Sequence, residues 1–231
     1  MMIKGMKVML MPNNKQNTKL FQYAGAKRFV YNWTLAKQID NFKNGERLIS
    51  DSILRKEFTQ LKKLDEYSWL NKISNNVTKQ AIKDCCIAYN NFFKKQKRTG
   101  IKYTKETLQK CSKQNKKPSF YDMNGHPKFK SKKHDIPKFY QDNVKIQFNA
   151  THVKFEGFSN SKKKNKQKLN WIRLAEKNRI PFGKDVKYVN PRISFDGLNW
   201  FISVGIEYKE SNNILKNNGV GIDVGVSVTC C

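Results

Sequence analysis

Two stretches of the chain hold residues whose types and spacing could do chemistry. The first is Gly219-Val220-Gly221-Ile222-Asp223-Val224-Gly225-Val226. Alternation points Ile222, Val224, Val226 and Val228 one way and Asp223, Gly225 and Ser227 the other. A carboxylate on the open face of an otherwise buried strand, with glycines beside it, is unusual in a plain core strand. The second stretch is 94–138, with 15 Lys and Arg against three acids (Glu106, Asp122, Asp135). Phe120, Tyr121, Phe129, Phe139 and Tyr140 interleave with or follow that charge. Lysines beside aromatic rings suit phosphate contact together with base or sugar stacking. A flexible charged linker anchored by a few rings is the plainer reading of the same residues.

Cys85, Cys86, Cys111, Cys230 and Cys231 contain no CxxC pair, so they read as reduced thiols, with at least one of Cys85 and Cys86 in a core. His126, His134 and His152 have no metal spacing with them and read as surface or loop residues without a role.

The 231 residues include 46 Lys and Arg and 18 Asp and Glu, a net charge of +28. A compact chain so charged repels itself unless a polyanion neutralises it, and nucleic acid is the expected partner. No apolar run approaches the roughly 20 residues of a membrane-spanning helix. The opening MMIKGMKVMLMP is too short and too interrupted by Lys7 for a signal peptide.

Periodicity supplies the elements. Residues 2–12 read as a strand ending in the turn signal Pro12-Asn13-Asn14. Tyr23, Ala26, Val30 and Trp33 predict a helix over 17–42. Ile53, Leu54, Phe58 and Leu61 predict a second over 51–64, and Val77, Ala81, Cys85, Ala88 and Phe92 a third over 74–95 capped by Ser74. A further helix fits 104–114. From Asn143 the period is two: Val144, Ile146 and Phe148, then Val153 and Phe155. Lys162, Lys163, Lys164, Lys166 and Lys168 form a basic loop before a strand near 169–174. Asp196-Gly197-Leu198-Asn199 turns a hairpin whose second strand buries Trp200, Ile202, Val204, Ile206 and Tyr208. The first strand has no partner among the helices. It joins the antiparallel unit, which makes the bundle an insertion within an α+β fold.

Arg28–Trp33 (RFVYNW), Pro127–Lys133 (PKFKSKK), the hairpin RISFDGLNWFISVGIE and Gly221–Val226 (GIDVGV) occur in an order that resembles the OrfB/TnpB family, the transposon-encoded RNA-guided endonucleases also described as transposases. The resemblance implies an antiparallel β-barrel, the wedge domain, with an inserted helical recognition lobe and then the first strand of an RNase H-like (RuvC-like) nuclease domain. The corresponding boundaries are 1–14 for the first wedge strand and 15–117 for a helix-turn-helix-like lobe. The rest of the wedge is 118–212, and the linker with the start of the nuclease domain is 213–231. It implies a bacterial cytoplasmic protein that partners a guide RNA from the transposon end and a double-stranded DNA target. Lys128, Lys130, Lys132 and Lys133 would grip backbone phosphates while base pairing supplies sequence. Arg28, Tyr31 and Asn32 of the first motif would join that nucleic-acid-binding set. Asn76, Lys79, Gln80 and Lys83, on the outer face of the third helix, would read base edges or simply form a solvated face.

The family's nuclease holds two metal ions on several carboxylates. Asp223 matches the first of its three acids, and no acid follows it in this sequence. Cys230-Cys231 lacks the spacing of the family's zinc ribbon. The expectation is therefore an incomplete catalytic and metal site at Asp223, no cofactor for this chain, and Mg2+ and Zn2+ only in full-length members. A non-catalytic DNA-binding module or repressor derived from a transposase is the alternative. GIDVG also looks like the phosphate loop of actin-type ATPases, but there the motif stands near the N-terminus with a large domain after it.

Overall fold

The computed structural model describes residues 2–100, 102–159 and 168–208. Strand β1 (Met2–Met11) leads into helix α1 (Asn14–Lys43), α2 (Asp51–Leu61), a 3-10 segment (Asp65–Lys72), α3 (Asn75–Thr99) and α4 (Lys105–Lys113). Strands β2 (Lys138–Tyr140), β3 (Gln147–Phe148), β4 (His152–Lys154), β5 (Trp171–Leu174), β6 (Lys187–Phe195) and β7 (Trp200–Tyr208) follow. The helices are thus inserted between the first two strands, as the sequence predicts.

Local chemistry explains the helix ends. α1 starts three residues earlier than its apolar period, because Asn13 and Gln16 form a reciprocal capping box: Gln16 N donates to Asn13 Oδ1 at 2.9 Å and Asn13 N to Gln16 Oε1 at 3.0 Å. Ser50, Ser74 and Thr104 cap α2, α3 and α4 through their hydroxyls. The apolar stripes are buried with exceptions: Ile53 is half exposed, and Trp33 and Ala88 are only partly covered.

The seven strands form one antiparallel sheet in the order β2-β6-β7-β1-β5-β4-β3. It is an open sheet, which corrects the expected closed barrel. β1 pairs with β7 along its whole length but with β5 only at Leu10 and Met11, so the sheet splits into two arms. The edge strands β2 and β3 have three and two residues, too few for a closing ladder. Side chains span the gap instead. Tyr23 of α1 lies 5.5 Å from Phe139 on one arm and 5.0 Å from Phe158 beyond β4 on the other. Phe148 of β3 meets Tyr188 of β6 at 4.7 Å.

The expected strand from Asn143 is also shorter. Val144 is 85% exposed in a turn whose amides, at Val144 and Lys145, both donate to Asp142 Oδ1 at 2.9 Å. The second hairpin matches expectation. Asp196 accepts the Leu198 and Asn199 amides at 2.9 and 2.7 Å, and Trp200, Ile202, Val204 and Ile206 are buried.

One continuous core runs from Leu54 and Phe58 of α2 through Val30 and Ile82 to Ile172, Ile193 and Ile202 of the sheet. Polar bonds fix α1 on it. Gln16 Nε2 donates to the Trp171 carbonyl at 2.7 Å, Trp200 Nε1 donates to Asn17 Oδ1 at 2.8 Å, and Tyr23 Oη donates to the Glu156 carbonyl at 3.2 Å.

Gly157 is the tightest point of that seating. Its φ is +80°, and a Cβ there would fall 2.5 Å from Tyr23 Oη. Gly157→Ala should therefore destabilise by roughly 2–5 kcal/mol, combining left-handed strain with overpacking. Adding Tyr23→Phe, which removes the clashing oxygen, should recover part of that loss. Urea denaturation of the two singles and the double measures it, and strictly additive effects would contradict the contact.

Candidate nucleic-acid interface

The site is built where the basic segment 127–137 lies against α1. Asn32 makes the attachment. Its Nδ2 donates to the Lys130 carbonyl at 2.8 Å, and the Lys130 amide donates to its Oδ1 at 2.8 Å. A side-chain amide used in this way grips the loop backbone as a partner strand would. Lys130 Nζ then bonds Asp135 Oδ1 at 3.0 Å and stands 4.8 Å from the Tyr31 ring centroid. Lys27 Nζ approaches the same ring at 5.5 Å. Tyr31 is 6% exposed, so its ring supports the two cations from below and is not presented to solvent. Lys27 is also buried. Desolvation, then the nearby Lys130 charge, pull its pKa down to about 8, and Asp135 and Asp84 oppose that shift.

His126 is the second anchor. It is buried, contrary to the surface reading, and sits edge-on to Tyr89, Phe92, Phe120 and Tyr121 at 5.4, 5.2, 5.3 and 5.5 Å. Phe120 is stacked on Phe42 at 4.4 Å, and Phe139 is 1% exposed. Phe139 is core, and Phe120 is a partly buried ring packed against the Tyr89–Phe92 cluster. Tyr121 and Tyr140 are half-buried, and Phe129 is 58% exposed.

The anchoring leaves a set of cations unused. Lys128, Lys132 and Lys133 are exposed and Arg28 is half-exposed. Among the described residues none of these four forms a salt bridge or a side-chain hydrogen bond. Arg28, Lys132 and Lys133 line a cleft of about 890 Å³ between α1, the basic segment and the β6–β7 turn.

The α3 candidates fall into two kinds. Asn76 Nδ2 donates to Glu156 Oε2 at 3.1 Å, beside Ser74 Oγ at 3.0 Å on the same oxygen. Gln80 Nε2 donates to Asp84 Oδ1 at 2.8 Å, and the other oxygen of Asp84 takes Arg192 at 3.1 Å. Lys79 and Lys83 are exposed and make no such bond among the described residues. Asp223, Lys162, Lys163, Lys164 and Lys166 lie outside the described residues. Among the described residues no cluster of His, Cys, Asp and Glu could hold a metal ion, and no helix is long and apolar enough to cross a membrane.

Sequence reasoning missed Lys27, His126 and Glu156. Lys27 did carry a signal: it stands four residues after Tyr23 and four before Tyr31, inside a buried helical stripe. The other two carried none: Ser74 and Asn76 lie far from Glu156 in sequence, and so do Tyr89 and Phe92 from His126.

Residues 1–47 match a helix-turn-helix domain family of OrfB proteins from IS605-type elements. A 94-residue stretch, 41% of this chain, is 32% identical to InsQ of Escherichia coli (strain K12), which is named an RNA-guided DNA endonuclease. The chain is thus similar to OrfB-type proteins over its N-terminal segment and to InsQ over part of its length. The match spans 23% of InsQ. In this chain, residues 14–43 form one uninterrupted helix after β1, so the segment matched as helix-turn-helix contains a strand and a single helix.

Two tests follow from the anchors. Asn32→Ala strands the Lys130 amide and carbonyl, so it should cost about 2 kcal/mol and raise hydrogen exchange at Lys130. Unchanged Lys130 protection would refute the attachment. For His126, burial is the main cause of a pKa held below its ordinary value, with Lys128 adding to the shift and Asp122 and the Pro127 backbone opposing it. The folded form therefore favours neutral imidazole. That stabilisation is present above the unfolded pKa near 6.5 and should be lost as pH falls below it, whereas His126→Phe should flatten the dependence.

Proposed function

We propose that this chain is the nucleic-acid-holding N-terminal part of a TnpB-type, transposon-associated RNA-guided DNA endonuclease, with a guide RNA and duplex DNA as partners. The observation that carries the reading is the unpaired state of Arg28, Lys128, Lys132 and Lys133 on a backbone fixed by Asn32 and His126. A protein that keeps cations unpaired while spending an internal acid on Lys130 presents them to an outside anion. With a net charge of +28, a phosphate backbone is the fitting anion. Exposed Lys79 and Lys83 extend the cationic surface along α3.

The family's metal chemistry finds no fit in the described residues, which offer no cluster of ligands, so no catalytic step is assigned to them. Asp223 remains the candidate first acid of that chemistry, and cleavage by this chain alone is not proposed.

A second reading, DNA binding without RNA, is favoured by the helix-turn-helix family match. RNA dependence separates the two. RNA sequenced from the chain purified out of its native host should be a single structured species from the end of the surrounding element. A random mixture, with duplex binding that needs no RNA, would instead support the DNA-binding module.

Affinity for the nucleic acid should fall steeply with salt. Each of Lys132→Ala and Lys133→Ala should lower the log–log slope by about 1 unit. A salt-insensitive affinity would remove the phosphate contacts from the mechanism.

A further inference from the structure

Gly25 lies in the middle of α1, where glycine is the least favourable residue after proline. Among the described residues nothing requires it there: a Cβ on Gly25 would meet no atom within 4 Å. Gly205, by contrast, is needed, since its Cβ would meet Ile3 Cγ2 at 3.0 Å. Gly25 lines the cleft of about 890 Å³ that also bears Arg28, Lys132 and Lys133. Phe21, one turn earlier on α1, lines it too and is 41% exposed. That ring is held rigidly, edge-on to Phe195 at 5.1 Å and to Trp200 at 5.0 Å. Ile136, 59% exposed, adds a further apolar lining group.

Gripping a phosphate chain needs cations on an open surface. It does not need an aromatic-lined cleft beside which a helix carries a destabilising glycine. We propose that this cleft receives one unstacked base of a single-stranded nucleic acid, with the adjoining phosphates on Arg28, Lys132 and Lys133. The charge pattern agrees. Two acids line the cleft: Asp135 is paired with Lys130, and Asp196 keeps its charge while accepting turn amides, so the three cations outnumber the one carboxylate without a cation partner. An apolar cleft with a cationic rim fits the two ends of a nucleotide, and splayed bases on rigid aromatic walls are a general means of single-strand recognition.

The inference rests on the nucleic-acid reading above, and its test keeps the two apart. Two short strands of equal phosphate number are compared by fluorescence anisotropy. One is wholly abasic, and the other carries a single central adenine. The strand with the base should bind about tenfold tighter. Gly25→Leu, which fills the cleft from a position open to a side chain, should keep the abasic affinity and abolish the tenfold difference. Its urea midpoint should stay the same or rise, because leucine favours the helix. Ile136→Trp, at an exposed lining position, is the second blocking variant. Equal binding of the two strands overturns the base pocket and leaves the phosphate grip standing. A difference that survives in both folded blocking variants also overturns it. Failure of both strands to bind overturns the nucleic-acid reading itself.

Discussion

The seating of α1 against the sheet is the contact on which the rest depends. Tyr23 enters the gap between the two arms, with Phe139 on one side and Phe158 on the other. Its hydroxyl is satisfied by the Glu156 carbonyl, and Gly157 gives it room. The sheet can stay open because this helix supplies the apolar contacts that a closing ladder would otherwise enclose. The same helix then carries Arg28, Tyr31 and Asn32 within the next three turns. Any shift of Tyr23 would therefore move the floor on which the basic segment rests.

Electrostatics sets the second constraint. Much of a +28 chain cannot be internally neutralised, so the fold must decide which cations to bury or pair and which to leave free. Lys130 is paired with Asp135 and covered by Tyr31, and Lys27 is buried with its charge weakened by desolvation. Arg192 is tied to Asp84 and Lys145 to Glu156. These bound cations do structural work at the joins between helices and sheet. Among the described residues Arg28, Lys128, Lys132 and Lys133 stay unpaired on the outside of the same assembly. The division between the two groups turns a uniformly basic composition into a directed surface.

The helix-turn-helix family match sits on a strand and one continuous helix. The family match and local geometry are therefore separate facts here. A helix that enters a groove as one of a pair needs a turn within the segment. α1 has none, and its inner face is committed to the sheet. Its outer face brings Arg28 beside the loop it holds.

The sequence by itself determined the elements and their order. Helical stripes, the Ser74 cap, the Asp196 turn and the alternation through Trp200–Ile206 are local patterns, and each is legible because the interacting residues stand within a few positions of one another. It also determined the net charge of +28, since charge is additive along a chain. Tertiary structure alone decided whether the sheet closes, because that depends on how Tyr23 meets Phe139 and Phe158, more than a hundred residues away. It alone separated Phe139, which fills core, and Phe120, which is partly buried against other rings, from Phe129, which is exposed, though all three stand in or beside the same basic stretch. It decided, too, that Asn32 and His126 are anchors and that Gly25 faces open space. Such roles are set by contacts distant in sequence, and no period or local motif records them.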